Sequence, residues 1–156
     1  MEKDYSRIID DRARHVFDVM ALRSSADDVN RIKASFEFAR EAHATQKRKT
    51  GEPYILHPIA VARIAAEELM LDVSSVIAAF LHDVVEDTPH TIDEISSLFG
   101  DDVAFLVSVM TKEEKETYDE SRQVDNFRRM LGSVQYDIRP LLIKLSDRLH
   151  NMRTLS

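Results

Sequence analysis

A chain of 156 residues with 44% hydrophobic and 31% charged side chains carries enough apolar material for one domain with a buried core. Its formal charge of −7 argues against general binding to nucleic acid or anionic membranes, yet leaves room for a small anion held by a local basic patch. Cysteine is absent, which excludes disulfides and thiolate metal sites, and no signal-peptide pattern or membrane-length apolar run occurs.

Only three glycines and four prolines interrupt a pattern that is almost wholly helical, so an all-α fold without strands is expected. Helices are expected first over residues 5–23 and 28–46, then over 58–71, with Pro58 at a first helical position. The next spans 73–87 with Asp72 as its N-cap, and another spans 92–99. The stretch TIDE at 91–94 opens the latter as a capping box ahead of Ile95 and Leu98. Helices over 101–111, 120–134 and 138–154 complete the set, the last with Asp137 as N-cap. The polar segment TKEEKETYDES, 111–121, is expected to be the one long connection. No repeat or composition shift divides the chain, so residues 1–156 read as one domain.

The charge distribution is uneven. Residues 64 to 111 contain ten acidic side chains and no lysine or arginine. On the expected helix 73–87, Asp83 lies three residues before Glu86 and four before Asp87. Each such like-charge pair costs roughly 0.2–0.5 kcal/mol. The negative end of the helix dipole adds about 0.3–1 kcal/mol per carboxylate. A divalent cation would offset that repulsion, and His82 beside Asp83 offers it a nitrogen and an oxygen. His82, Asp83, Glu86 and Asp87 fall within about 140° of helical arc, opposite Leu81, Val84 and Val85. A solvated polar face is the alternative. Against it stands the preceding run VSSVIAAFL, which is apolar nearly all round and so belongs in a core, with its polar end opening into a cleft.

His57 stands directly before Pro58, which fixes the entry of the chain and suits a rigid ligand; a purely structural role explains a lone His-Pro as well. In the last helix Leu142, Leu145, Leu149 and Met152 form an apolar stripe read as core. On the reverse face Lys144, Asp147, Asn151 and Thr154 recur at spacings of three and four, lining either a site or plain solvent. His57, His82, Asp83 and Asp147 together would supply two imidazoles and two carboxylates. That mixture suits manganese, iron or zinc better than calcium and leaves positions open. Lys47, Arg48 and Lys49, in QKRKTGEPY at 46–54, are the densest basic cluster of an acidic chain. Beside a cation site they suggest a phosphorylated substrate, and arginine can stack on a purine. A solvated cationic end of the helix finishing near Gln46 is the local alternative.

Taken in order, RKTGEPYILHP, AAFLHDVVEDT and IKLSDRLHNMRTL resemble the hydrolase region of the RelA/SpoT-type alarmone enzymes, a branch of the HD metal-dependent phosphohydrolases. The likeness runs from about residue 28 to the end. It implies a compact all-helical HD-domain bundle and a manganese-dependent hydrolase. The reaction implied removes pyrophosphate from the 3′ position of guanosine tetra- and pentaphosphate, (p)ppGpp, leaving GDP or GTP and so degrading the stringent-response alarmone. The resemblance assigns one divalent ion, expected to be manganese, to His57, His82, Asp83 and Asp147. It assigns the activation or orientation of the attacking water to Glu86 and Asp87. Arg48 is implied to pack on guanine, with Lys49 and Thr50 close by and Asn151 and Thr154 lining the pocket.

Family members that only synthesise the alarmone lose the HD and ED residues; their presence here implies a competent hydrolase. Ser146 stands where alanine is commoner and Thr50 where serine is also frequent, and Ser146 is expected to alter slightly the hydrogen bonding of Asp147. Three competing readings remain: a nucleotide-sensing module without turnover, an HD hydrolase of another phosphoester, and a purely structural bundle. The chain finishes at RTLS, directly after residues assigned to the pocket. It is therefore expected to be an N-terminal fragment of a longer bifunctional protein with a synthetase domain adjoining. A cytoplasmic protein whose partner is the guanine nucleotide alarmone, with no nucleic acid and no membrane, is the resulting expectation.

Overall fold

Ile9, Ala13, Val16 and Met20 recur at helical spacing and are all buried on one face of α1 (Ser6–Ala21). The computed structural model from which this follows describes residues 4–115, apart from the side chains of 112–115, and residues 137–154. The helix expected over 120–134 and the later part of the polar connection lie outside the described residues. Helix α2 (Ala26–Ala42) starts at Ser25, whose hydroxyl accepts the Asp28 N–H at 3.1 Å, and buries Val29, Ile32, Phe36 and Ala39.

The expectation that this helix continues to residue 46 is corrected. Beyond Ala42 the chain folds into a tight hairpin in which Lys47 bridges Pro53. Tyr54 N–H donates to the Gln46 carbonyl, Arg48 N–H to Glu52 and Gly51 N–H to Arg48, at 2.9, 2.9 and 2.8 Å. Gly51 sits at φ +93°, a conformation that side chains with a Cβ disfavour. These cross-strand bonds take the backbone groups that a longer helix would have needed.

Helix α3 (Leu56–Arg63) begins two residues ahead of Pro58, which therefore occupies the third position and not the first. Its missing N–H is still harmless there, because the opening turn has no helical acceptors. The expected run to residue 71 also changes character: a π-helical turn, Ile64–Glu68, follows, and Met70 has φ 53°. Arg23 stabilises this irregular exit by donating to the carbonyls of Ala66, Leu71 and Met70 at 2.7, 2.9 and 3.3 Å.

The single helix expected over 73–87 is two: α4 (Val73–Leu81) and α5 (Val84–Asp87), interrupted at His82–Asp83. At that break the His82 ring donates from Nδ1 to the Ala79 carbonyl at 2.7 Å, filling an acceptor of the last turn with a side chain. Asp72 holds the N-cap position, but its carboxylate accepts from Ser75 and Arg139 and not from a helix N–H. Every residue from Ser75 to Leu81 is buried, and α4 packs against α2, α3 and α7. Phe80 meets Phe36 and Phe17 with ring centroids 5.8 and 6.3 Å away.

The capping box of α6 (Ile92–Phe99) forms as expected between Thr91 and Glu94. Helix α7 (Asp101–Lys115) runs four residues past its expected end into the polar segment. Helix α8 (Arg139–Arg153) is capped at Ile138, one residue later than expected. Asp137 instead accepts the Arg139 N–H at 3.0 Å, and Asp72, Asp102 and Asp137 all surround the Arg139 guanidinium.

The orientation of α8 overturns another expectation. Its buried residues are Pro140, Ile143, Ser146 and Asp147, whereas Leu145 is 53% and Met152 68% exposed. Polar groups with partners across the interface, not the leucine stripe, decide which face turns inward. Among the described residues no helix is long and apolar enough to cross a membrane.

Candidate functional site

The expected cation ligands come from three places and meet. His57 is the second residue of α3, His82 and Asp83 form the break between α4 and α5, and Asp147 lies on the inward face of α8. All four are buried. His57 Nε2 is 2.6 Å from Asp147 Oδ1 and 4.0 Å from Asp83 Oδ2. His82 Nε2 is 2.9 Å from Asp83 Oδ2 and 3.4 Å from Asp147 Oδ1. One donor atom from each of His57, His82 and Asp83 lies within 4.8 Å of the others.

The donor chemistry fits a cation. Because His82 Nδ1–H is committed to the Ala79 carbonyl, a neutral ring presents its Nε2 lone pair to two carboxylate oxygens. That Nε2 is buried and makes no hydrogen bond. Lone pair against carboxylate is repulsive unless a proton or a metal ion lies between. Burial disfavours a charged ring, but Asp83 and Asp147 outweigh burial and raise the His82 pKa well above its ordinary value. Burial likewise opposes ionisation of Asp83 and Asp147, yet the neighbouring imidazoles hold both carboxyls below the usual carboxylate range.

A cleft of about 660 Å³ opens over His57, Asp83 and Asp147, a volume suited to a small ligand. Lys47, Arg48, Lys49 and Thr50 of the hairpin form one wall, and Asn151 and Thr154 of α8 face them. Arg48 Nη2 donates to Asn151 Oδ1 at 3.2 Å and to Thr154 Oγ1 at 3.5 Å, joining residues more than a hundred positions apart. All five residues expected to bind substrate thus share the cleft. Asp87 lines it as well. Glu86 is not among its wall residues, and its Oε2 is buried without a hydrogen-bond partner. Ser146 leaves Asp147 alone: its hydroxyl donates to the Leu142 carbonyl at 3.0 Å, contrary to expectation.

Two residues escaped the sequence reading. The Tyr54 hydroxyl donates to Asp83 Oδ2 at 2.5 Å, and His150 Nδ1 lies 2.7 Å from His57 Nδ1. Their spacing was a usable signal, since Tyr54 precedes His57 by three residues and His150 follows Asp147 by three. Burial, then the neighbouring His57 and Arg48, lowers the His150 pKa to about 4.

The family model of the HD domain matches residues 35–156. The chain belongs to the HD domain family. This HD domain is 48% identical over 131 residues to the bifunctional (p)ppGpp synthase/hydrolase SpoT of Escherichia coli K12, covering 83% of the chain and 18% of that protein. It is 49% identical over 124 residues to the guanosine-3′,5′-bis(diphosphate) 3′-pyrophosphohydrolase of Aquifex aeolicus, covering 80% and 18%. A solved structure described as a metazoan ortholog of SpoT that hydrolyzes ppGpp and plays a role in starvation responses has a TM-score of 0.66 and 32% identity, over 83% of this chain and 70% of that one. The HD domain therefore spans less than a fifth of the length of these two bacterial relatives.

Within the HD domain Asp87 is set apart by its proton affinity. Burial, then the charges of Asp83 and Glu86, raise its pKa from 3.8 to about 6. Between those two values the folded protein keeps a proton that the unfolded chain releases, so stability falls as pH rises through this window. A shift of that size corresponds to about 3 kcal/mol in a buried site. Solvent screening at a partly exposed carboxylate reduces it to about 1 kcal/mol. Asp87→Asn is accordingly expected to raise the melting temperature of the cation-free protein at pH 7 and to change it little at pH 4. Melting curves at the two pH values check this, and equal shifts at both would contradict it.

Proposed function

We propose that this HD domain hydrolyses guanosine 3′,5′-bis(diphosphate), ppGpp or pppGpp, at the 3′ position, releasing pyrophosphate and GDP or GTP in the cytoplasm. One observation carries the reading: buried His and Asp donors and the Arg48–Asn151–Thr154 cluster open onto a single cleft. The activities of the Aquifex aeolicus and metazoan relatives support the same substrate. His57, His82, Asp83 and Asp147 would hold one divalent ion, proposed to be manganese. Such an ion, when bound, supplies Lewis-acid chemistry that acidifies water and offsets charge on phosphoryl oxygens.

The remaining roles belong to side chains of the chain itself. Asp87, with a pKa near 6, accepts a proton from the attacking water, and Glu86 raises that basicity through its charge. The water oxygen bonds to the phosphorus that carries the 3′ oxygen, the P–O3′ bond breaks, and the 3′ oxygen leaves with a proton. Arg48 presents a planar guanidinium to guanine, steadied by Asn151 and Thr154, while Lys49 and Thr50 hold the nucleotide beside it. Held this way, the 3′ diphosphate and not the 5′ diphosphate faces the donors. Tyr54 keeps the Asp83 carboxylate in place. The joined synthase/hydrolase name of the E. coli relative and the greater length of both bacterial relatives support an adjoining synthetase domain as partner.

Pyrophosphate release from ppGpp in the presence of Mn²⁺ tests the proposal. Arg48→Ala is expected to raise KM about tenfold or more with little change in kcat, the mark of lost uniform binding. Equal rates on GDP and ppGpp, or full turnover after chelation, would overturn it.

A further inference from the structure

We propose that His150 is a positioning residue that dictates which nitrogen of His57 is free to meet a cation. The inference rests on the cation reading above. His57 Nδ1 lies 2.7 Å from His150 Nδ1, and its Nε2 lies 2.6 Å from Asp147 Oδ1. The ring centroids are 5.0 Å apart with 28° between planes, so the two nitrogens meet edge to edge with one proton between them.

With His57 neutral, as a cation ligand must be, two arrangements satisfy that contact. In the first, His57 Nδ1–H donates to His150, and the His57 Nε2 lone pair turns toward Asp147 and Asp83. In the second, His150 Nδ1–H donates to His57, and His57 Nε2–H donates to Asp147; no electron pair is left for a ligand bond. Arg48 selects between them. Its guanidinium has donors only, and Nη1 approaches His150 Nδ1 at 3.4 Å. A proton on that nitrogen would set N–H against N–H, whereas a lone pair receives both neighbours. His150 Nδ1 is therefore the acceptor, and with a cation between Nε2 and the carboxylates His57 is the Nδ1–H tautomer with Nε2 open.

The arrangement gives α8 a combined duty. Asp147, His150 and Asn151 lie three and one residues apart on it, so one helix turn carries a carboxylate donor, the tautomer partner and a wall residue of the cleft. Partners of this kind fix ring orientation and proton position wherever histidine binds metal.

Calorimetric Zn²⁺ uptake and long-range ¹H–¹⁵N spectra of histidine-labelled protein test the assignment. In Zn²⁺-loaded wild type the spectra are expected to show the proton on His57 Nδ1 and none on His150 Nδ1. His150→Leu is expected to weaken Zn²⁺ binding about 10–100-fold. His150→Asn, whose Oδ1 can accept where Nδ1 did, is expected to recover most of that loss. Wild-type Zn²⁺ affinity in His150→Leu, or a proton on His150 Nδ1 in the loaded wild type, would overturn the proposal while leaving the cation reading intact. Should His150→Leu fail to fold, the wild-type spectra and His150→Asn still decide. Failure of the wild type to take up Zn²⁺ is a separate result: it would overturn the cation reading and this inference with it.

Discussion

Replacing Asp83 by alanine is expected to abolish turnover and to lower divalent-cation affinity by more than the roughly 10–100-fold typical of losing an outer partner. Asp83 is buried between the His82 ring and the Tyr54 hydroxyl, so no water or neighbouring carboxylate can take its place without rearrangement. The alanine variant also leaves the Tyr54 hydroxyl without this acceptor, and an unsatisfied buried polar group costs about 1–3 kcal/mol. Asp83→Asn separates the two effects. It keeps the shape and an oxygen for Tyr54 but removes the charge, so it is expected to melt close to wild type and still lose the ion. Metal content after dialysis, measured beside the melting curve, reads both quantities. A stoichiometric ion retained by folded Asp83→Asn would refute the ligand assignment.

The second large effect concerns the core. Phe80 is fully buried in α4, against Phe17 and Phe36. Phe80→Ala removes a ring whose cavity the surrounding helices α2, α3 and α7 can only partly close. It is expected to cost about 3–5 kcal/mol, a large share of the 5–15 kcal/mol typical of a domain. Urea unfolding should show the midpoint falling at constant slope, since the area exposed on unfolding hardly changes. A cost below about 1 kcal/mol would mean that the three rings do not form a tightly packed cluster. Phe80 also stands two residues before His82, so some loss of cation affinity is expected to accompany the loss of stability, though less than Asp83→Asn produces.

What could be read from the chain alone follows a physical division. Periodicity and caps exposed α1, α6 and the buried character of α4, because these depend on neighbours three or four residues away. His57, His82, Asp83 and Asp147 could be picked out because their motifs are local, although their meeting in space is not. The overrun of α2 has the opposite origin: the hairpin that displaces helix is closed by Gln46 and Tyr54, eight residues apart, which no helical period registers. The face of α8 was misread for a related reason. Leucines at 142, 145 and 149 and Met152 look like core, but the pairing of Asp147 with imidazoles from α3 and from the α4–α5 break turns Leu145 and Met152 outward. The break at His82–Asp83 likewise depends on where a ring nitrogen and a tyrosine hydroxyl end up in space. Tyr54 and His150 were overlooked because each acts only through another side chain.

The outward turn of Leu145 and Met152 has a mechanical consequence for the molecule. Besides the buried Pro140 and Ile143, α8 is held by charge: Arg139 to Asp72 and Asp102, Arg153 to Glu68, and Asp147 to the imidazoles. The exposed latches weaken as salt shortens the reach of Coulomb forces. The opposite jaw, the hairpin, is clasped by main-chain bonds that ionic strength barely touches. The two walls of the cleft are thus expected to answer differently to added salt, the α8 side more than the hairpin side.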